Sequence, residues 1–302
     1  MDGTWFGTRG MMGWSLQNLA YYYHSLFWRQ AWNRLREPKI IRMPEQTPKA
    51  HEAILDSLRQ DGVAVRDYRI SMEAFSDYVR RADYAQYRAY GTGRMSRYRV
   101  EKILEHYVAA DLLALKPGDV YLDIANAGAP TAKIYHELYG CDAYEQDLKY
   151  PEGIQGRRIG GDAANMPLPD GFASHMALHC SFEHFEGDAD TRFIREAHRV
   201  LRPGGRLCIL PLYMAGQYCV LTDPAVLSAG DPCFDDDAIL CCARGWRNRH
   251  GRVYDVAHLN SRVLQHRGNL RLTFFHVLNA GEVSPACYLK FVALFEQAGG
   301  SL

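Results

Sequence analysis

From residue 116 onward, apolar positions alternate between strand-like and helix-like registers. Val120, Leu122 and Ile124 mark a buried strand over 119–124, and a helix over 131–139 follows. A strand at Ala143–Gln146 ends in Asp147-Leu148, and a short strand at Arg158–Gly160 precedes Gly161-Asp162-Ala163. His175–Cys180 reads as a buried strand, Asp190–Leu201 as a helix and Arg206–Leu212 as a strand. Strands separated by helices predict a parallel sheet. The pattern then breaks into an irregular, cysteine-containing insert over 214–252. Helix Asp255–Gln265 and strands Leu270–Val277 and Cys287–Phe295 close the chain, the two strands suiting an edge pair that ends antiparallel. The expected fold class is α/β, a doubly wound and mostly parallel sheet with an antiparallel last strand.

The first 110 residues follow a different plan, a helical N-terminal extension that caps the 111–302 domain. A run without Gly or Pro follows a Gly-rich start, with Leu16, Leu19, Tyr23, Leu26 and Phe27 at helical spacing and Arg29, Arg34 and Arg36 near its end. Residues 15–36 are therefore expected to pack on the main domain or across a dimer interface, with peripheral membrane contact as the alternative, since aromatic, Arg-rich amphipathic helices lie at bilayer surfaces. Three prolines make 38–49 a linker. A short helix at His51–Gln60, a strand within 63–70, a helix at Ser71–Arg81 capped by Ser71, and a helix at Val100–Leu115 complete this part. The Tyr- and Arg-rich segment 82–99, with Gly91-Thr92-Gly93, reads as a lid or approach loop.

Composition narrows the field. The 302 residues are 47% hydrophobic, which suits a folded chain rather than a disordered one. Thirty-five basic and 35 acidic residues balance to zero, so no nucleic-acid partner is expected. Eight cysteines without a C-x-x-C spacing read as buried thiols of a cytoplasmic protein. Cys233, Cys241, Cys242 and His250 match no standard zinc spacing, and Asp235-Asp236-Asp237 reads as a helix N-terminus rather than a magnesium site. No metal is expected.

The chemistry gathers around Val120–Pro130, a strand, a small-residue turn and the start of a helix. Such turns lie beyond the carboxyl ends of strands, where doubly wound sheets bind ligands. Five elements in order carry a resemblance: Leu122-Asp123-Ile124-Ala125-Asn126-Ala127-Gly128-Ala129; Asp147 at the end of the second strand, with Glu145 next in register; Gly161-Asp162-Ala163 before Met166–Gly171; Ser181-Phe182-Glu183-His184 after the fourth strand; and Arg199–Gly205 before the fifth. Residues 119–213 thereby resemble the class I S-adenosylmethionine-dependent methyltransferases, which implies a Rossmann-like sheet and S-adenosylmethionine as cofactor.

The resemblance implies that Asp147 accepts from the cofactor's ribose hydroxyls, that Asp162 and the Ala163 backbone meet the adenine, and that Ala125, Ala127 and Gly128 border the methionine part. Asp123 fixes the turn, and Ser181 lies at the cofactor's edge. This chain departs from the family in having alanine at 125, 127 and 129, where glycine is usual. Alanine resists positive φ, so Gly128 is expected to carry any left-handed residue. The departure leaves two outcomes, a specialised cofactor site or a scaffold that has lost its cofactor.

For transfer to oxygen, histidine is the side chain best suited as general base. His184 is the first candidate for base or substrate ligand, with His179 and Glu183 beside it. The expected activity is methylation of a small-molecule or glycan acceptor, most simply at oxygen. A non-catalytic binding protein and a protein or RNA methyltransferase are the rivals. Arg244, Arg247, Arg249, His250 and Arg252 with Trp246 suit an anionic or sugar-like acceptor.

Overall fold

A computed structural model describes residues 46–87, 90, 99–223, 233–243 and 246–299. The helix expected within 15–36, residues 38–45 of the linker, Gly91-Thr92-Gly93 and Arg244 lie outside the described residues. The elements run α1 (Pro48–Gln60), β1 (Ala64–Tyr68), α2 (Met72–Ala82), α3 (Arg99–Leu113), β2 (Val120–Ile124), α4 (Thr131–Tyr139), β3 (Asp142–Gln155) and β4 (Arg158–Gly160). They continue through β5 (Ala173–His179), α5 (Ala189–Val200), β6 (Leu201–Leu210), β7 (Cys219–Thr222), β8 (Ile239–Cys242) and β9 (Gly251–Val253). The last are α6 (Val256–Arg262), β10 (Leu270–Val277), α7 (Ala280–Val283) and β11 (Phe291–Gln297).

Eight strands form one sheet in the order β1-β10-β11-β6-β5-β2-β3-β4. All neighbours are parallel except β11, which runs against both β10 and β6. The chain leaves β2 outward through β3 and β4, then returns to lay β5 on the other side of β2. The order therefore reverses between β2 and β5, where a ligand crevice opens in sheets of this kind. The strands bury both faces, as parallel sheets do. Leu122, Met176 and Ile209 enter one core with Ile54 of α1 and Phe193 of α5. Their neighbours Tyr121, Ala177 and Cys208 enter the other with Tyr78, Leu104 and Ile134 of α2, α3 and α4.

The N-terminal part is woven into this framework. Pairing of β1 with β10 extends the main sheet by one strand, and the boundary expected at residue 110 falls inside α3. Helix α1 begins three residues ahead of the expected His51, because Thr47 caps it and Pro48 takes the first turn, where its missing N–H leaves no intrahelical bond unmade.

The insert is more regular than its sequence suggests. Strands β8, β7 and β9 form a second sheet, β7 parallel to β8 and antiparallel to β9. Strands of three or four residues are too short to display a period. Asp235–Asp237 precede a strand, not the expected helix, and Asp235 is committed internally. Its Oδ2 accepts from Tyr218 Oη at 2.7 Å and pairs with Arg252 at 2.9 Å. Arg252 also corrects the expectation of an acceptor-facing basic cluster. Its guanidinium is fully buried, lies 3.2 Å from Asp190, and donates to the carbonyls of Phe185 and Gly187. Arg249 likewise pairs with Glu186 at 2.5 Å.

Removing one partner of such a buried network leaves an uncompensated charge. Arg252→Ala should therefore lower unfolding free energy by about 3–5 kcal/mol, read from urea denaturation. A loss below ~1 kcal/mol would show that the network is not holding the insert.

Candidate functional site

The turn after β2 follows a left-handed path at three residues. Ala125, Ala127 and Gly128 have φ of 51°, 52° and 81°. The glycine behaves as expected, but it does not relieve the alanines. Each alanine in this region costs roughly 1–2 kcal/mol, so something must hold the turn. The backbone amides from Ala125 to Ala129 are all engaged. The Ala125 amide donates to Gln146 Oε1 (3.2 Å), the Asn126 amide to the Gln146 carbonyl (3.1 Å) and the Ala127 amide to Asp147 Oδ2 (2.7 Å). Asn126 Oδ1 accepts the Gly128 amide at 3.0 Å, and its carbonyl accepts the Ala129 amide at 2.9 Å. Gln146, Asn126 and Asp147 thus fix the turn, the part expected of Asp123.

Asp123 sits beneath it, buried in β2. Tyr121 Oη donates to its Oδ1 at 3.3 Å, while Oδ2 is buried without a hydrogen-bond partner. Burial pushes this carboxyl up to about 7. Asp147 also accepts the Lys149 amide at 3.0 Å, so each of its oxygens holds one backbone donor. Beyond Asp147 the chain doubles back over β4, and residues 152–155 pair with the same Arg158–Gly160 segment in reverse. A methyl group on Gly160 would lie 1.9 Å from the Pro151 carbonyl oxygen, so only glycine fits there. Asp162 caps its own turn through the Ala164 amide (2.9 Å) and pairs with Arg192 at 3.1 Å; Ala163 is buried beside it.

The segment after β5 brings Ser181, Glu183 and His184 to the same end of the sheet. Ser181 Oγ reaches the Ile124 carbonyl at 3.5 Å, joining the ends of β5 and β2. His184 is partly exposed; its Nδ1–H donates to the His250 carbonyl at 2.6 Å, which leaves Nε2 with a free lone pair. Glu183 Oε1 stands 3.6 Å from that nitrogen, and Glu183 Oε2 is buried without a hydrogen-bond partner. His179 is different. Burial, with Lys102 nearby, lowers it to about 3, and its ring packs edge-on to His106 at 4.8 Å. Buried and weakly basic, it is a poorer base than the partly exposed His184.

A second group at this end has no counterpart among the expected residues. Helix α3 is buried along most of its length, Glu101 and Glu105 included. Lys102 Nζ pairs with Glu105 at 2.9 Å, and Cys180 Sγ donates to Glu105 Oε1 at 3.1 Å. Cys180 carries a left-handed φ of 48° and meets the Tyr213 and Tyr288 hydroxyls at 3.6 and 3.5 Å. The signal available was the Glu101/Glu105 spacing, one helical turn apart on a helix whose other positions are mostly apolar.

With this geometry in place, the match to known proteins falls on the same stretch. Residues 122–209 fit the family model described as a methyltransferase domain. The chain carries a methyltransferase domain. Similar solved structures include a presumed methyltransferase from Bacillus halodurans C-125, 26% identical over 34% of this chain and 45% of that one, with a TM-score of 0.29. The YcgJ protein of Bacillus subtilis is 18% identical over 37% of this chain and 51% of its own, with a TM-score of 0.32. The chain thus spans about half the length of these two. The 1,6-didemethyltoxoflavin-N1-methyltransferase of Burkholderia thailandensis, solved with 1,6-didemethyltoxoflavin and S-adenosylhomocysteine, is 16% identical over 77% of this chain and 93% of its own, with a TM-score of 0.43.

Two measurements test the geometry of the methyltransferase domain. Ala127→Gly relieves a left-handed alanine but frees the unfolded chain, so stability should stay level or rise by up to about 1 kcal/mol. A loss of about that size would mean that the turn is not left-handed there. The raised Asp123 carboxyl is protonated in the folded state at pH values where the unfolded chain has already ionised it. Its contribution to stability is therefore complete below about pH 4 and lost as pH rises through about 7. Asp123→Asn should flatten that part of the pH–stability curve in urea titrations, and an unchanged slope would show an ordinary carboxylate.

Proposed function

We propose that the chain transfers the methyl group of S-adenosylmethionine to a small-molecule or glycan acceptor, at an acceptor oxygen. The observation that carries this reading is Asp147, held by the Ala127 and Lys149 amides where the parallel pairing of β3 with β4 ends, beside the turn of the methyltransferase domain. A carboxylate has about four lone-pair sites, so each oxygen keeps capacity for one ribose hydroxyl. Asp123 Oδ2 is a buried acceptor in need of a donor and suits the cofactor's ammonium. Asp162 and the Ala163 backbone complete the set toward the adenine, with Ala125, Ala127, Gly128 and Ser181 along the methionine part. The residues present fit the group.

When bound, S-adenosylmethionine supplies a methyl carbon open to in-line attack. The protein's own contribution is positioning and proton removal. His184 Nε2 takes the proton of the acceptor hydroxyl, the His250 carbonyl holds the ring, and Glu183 offsets the positive charge that forms on it.

Calorimetric titration of the full chain with S-adenosylhomocysteine should show saturable binding that Asp147→Ala weakens by about tenfold or more. Absence of heat would leave the scaffold reading, in which the methyls of Ala125 and Ala127 keep the cofactor out. His184→Ala should cut turnover by ~10²-fold or more with S-adenosylhomocysteine affinity unchanged, and full turnover would reject its role as base.

A further inference from the structure

The residues at the α3 end of the cleft hold more acids than bases. Glu101, Glu105 and Glu183 bring three carboxyl groups, against one ammonium on Lys102 that is already committed to Glu105. Burial raises Glu101 and pushes Glu105 up to about 7, and an entering cation would favour their charged forms. His106 and His179 are held neutral by burial, and His184, 3.6 Å from Glu183 Oε1, is the ring already assigned to the acceptor hydroxyl. The Cys287 thiol beside Glu101 is pushed up to about 12 and adds no charge. Asp123, deeper in the site, adds an acid rather than a base.

Two of these carboxylates are incompletely bonded. Glu101 Oε2 accepts the Tyr288 amide at 3.0 Å, but its Oε1 is buried without a hydrogen-bond partner. Glu183 Oε2 is in the same condition, and the side chain is close enough to raise both the Cys180 thiol and the Tyr213 phenol. Glu101 and Glu183 are 3% and 6% exposed, so bulk water does not supply the missing donors. Next to them Tyr213 and Tyr288 lie nearly parallel, 23° apart with ring centroids separated by 6.5 Å, and Tyr288 reaches the surface. Buried acceptors call for a ligand rich in N–H donors, a surplus of carboxyl groups over bases favours a cation, and paired aromatic faces suit an ammonium.

We propose that this end of the cleft binds the acceptor by a primary or secondary ammonium group, with Glu101 and Glu183 as its counter-ions and the Tyr213 and Tyr288 rings as its aromatic wall. The acceptor is then an amine-bearing hydroxyl compound, such as an amino alcohol or amino sugar. Its charged nitrogen anchors it while a hydroxyl faces His184. This assignment of acceptor class rests on the methyl-transfer reading, whereas the ammonium site itself does not.

The test compares isosteric pairs by calorimetry on the full chain at neutral pH, with and without S-adenosylhomocysteine. The pairs are tyramine against 4-propylphenol and glucosamine against glucose. In at least one pair the amine should bind about tenfold or more tightly than its neutral partner. Glu101→Gln and Glu183→Gln should each remove about that preference while melting temperature and S-adenosylhomocysteine affinity stay unchanged. No preference in either pair, or a preference that survives both substitutions, overturns the ammonium site. Binding of S-adenosylhomocysteine without amine preference removes this inference alone. Amine preference in a chain that ignores S-adenosylhomocysteine keeps the ammonium site and removes the methyl-transfer reading.

Discussion

The site depends on one hydrogen bond, from the Ala127 amide to the Asp147 carboxylate. It ties the turn after β2 to the point in β3 where parallel pairing with β4 ends, and it acts where the backbone least favours alanine. Gln146 supports it from the same strand by accepting the Ala125 and Asn126 amides and donating to the Gly161 carbonyl at 2.6 Å. One short segment, 146–147, therefore sets the turn on one side and the start of the Asp162 turn on the other. Local strain in the turn is offset by contacts made elsewhere, as is common where a chain shapes itself to a ligand.

The parallel sheet was legible because its signal is redundant. Strands such as Val120–Ile124 and Ala173–His179 are mostly apolar and buried on both faces, and each is bounded by turn residues and followed by a helix or helical turn. The closing strands were less sharply legible: β10 mixes exposed and buried positions, and β11 begins at Phe291 rather than the expected Cys287. What could not be read were elements whose identity comes from partners far along the chain. β1 looks like any short alternating strand until β10 pairs with it, 209 residues later at Ala64 and Thr273. The small sheet of the insert is built from three- and four-residue strands that carry no period.

The site divides in the same way. Asp147, Asp162, Ser181, Glu183 and His184 follow strand ends in a fixed order, and their positions can be counted from the sequence. Burial cannot be counted so easily. His179 and His184 are five residues apart, yet one packs in the interior and the other is partly exposed with Nε2 unblocked. Arg252 looks like a surface cation in a basic run, and only the folded chain reveals the two aspartates that enclose it. Glu101 and Glu105 sit on a helix whose surroundings, rather than its own pattern, decide that its charged face points inward.

The bond from His184 to the His250 carbonyl crosses from the main sheet to the insert. Neutral imidazole exists in two proton arrangements, and this carbonyl selects the one with hydrogen on Nδ1. The choice of tautomer thus belongs to a segment outside the common sheet. A chain that kept the sheet and exchanged the insert would retain every residue of the turn and still present a different face of its histidine to the acceptor.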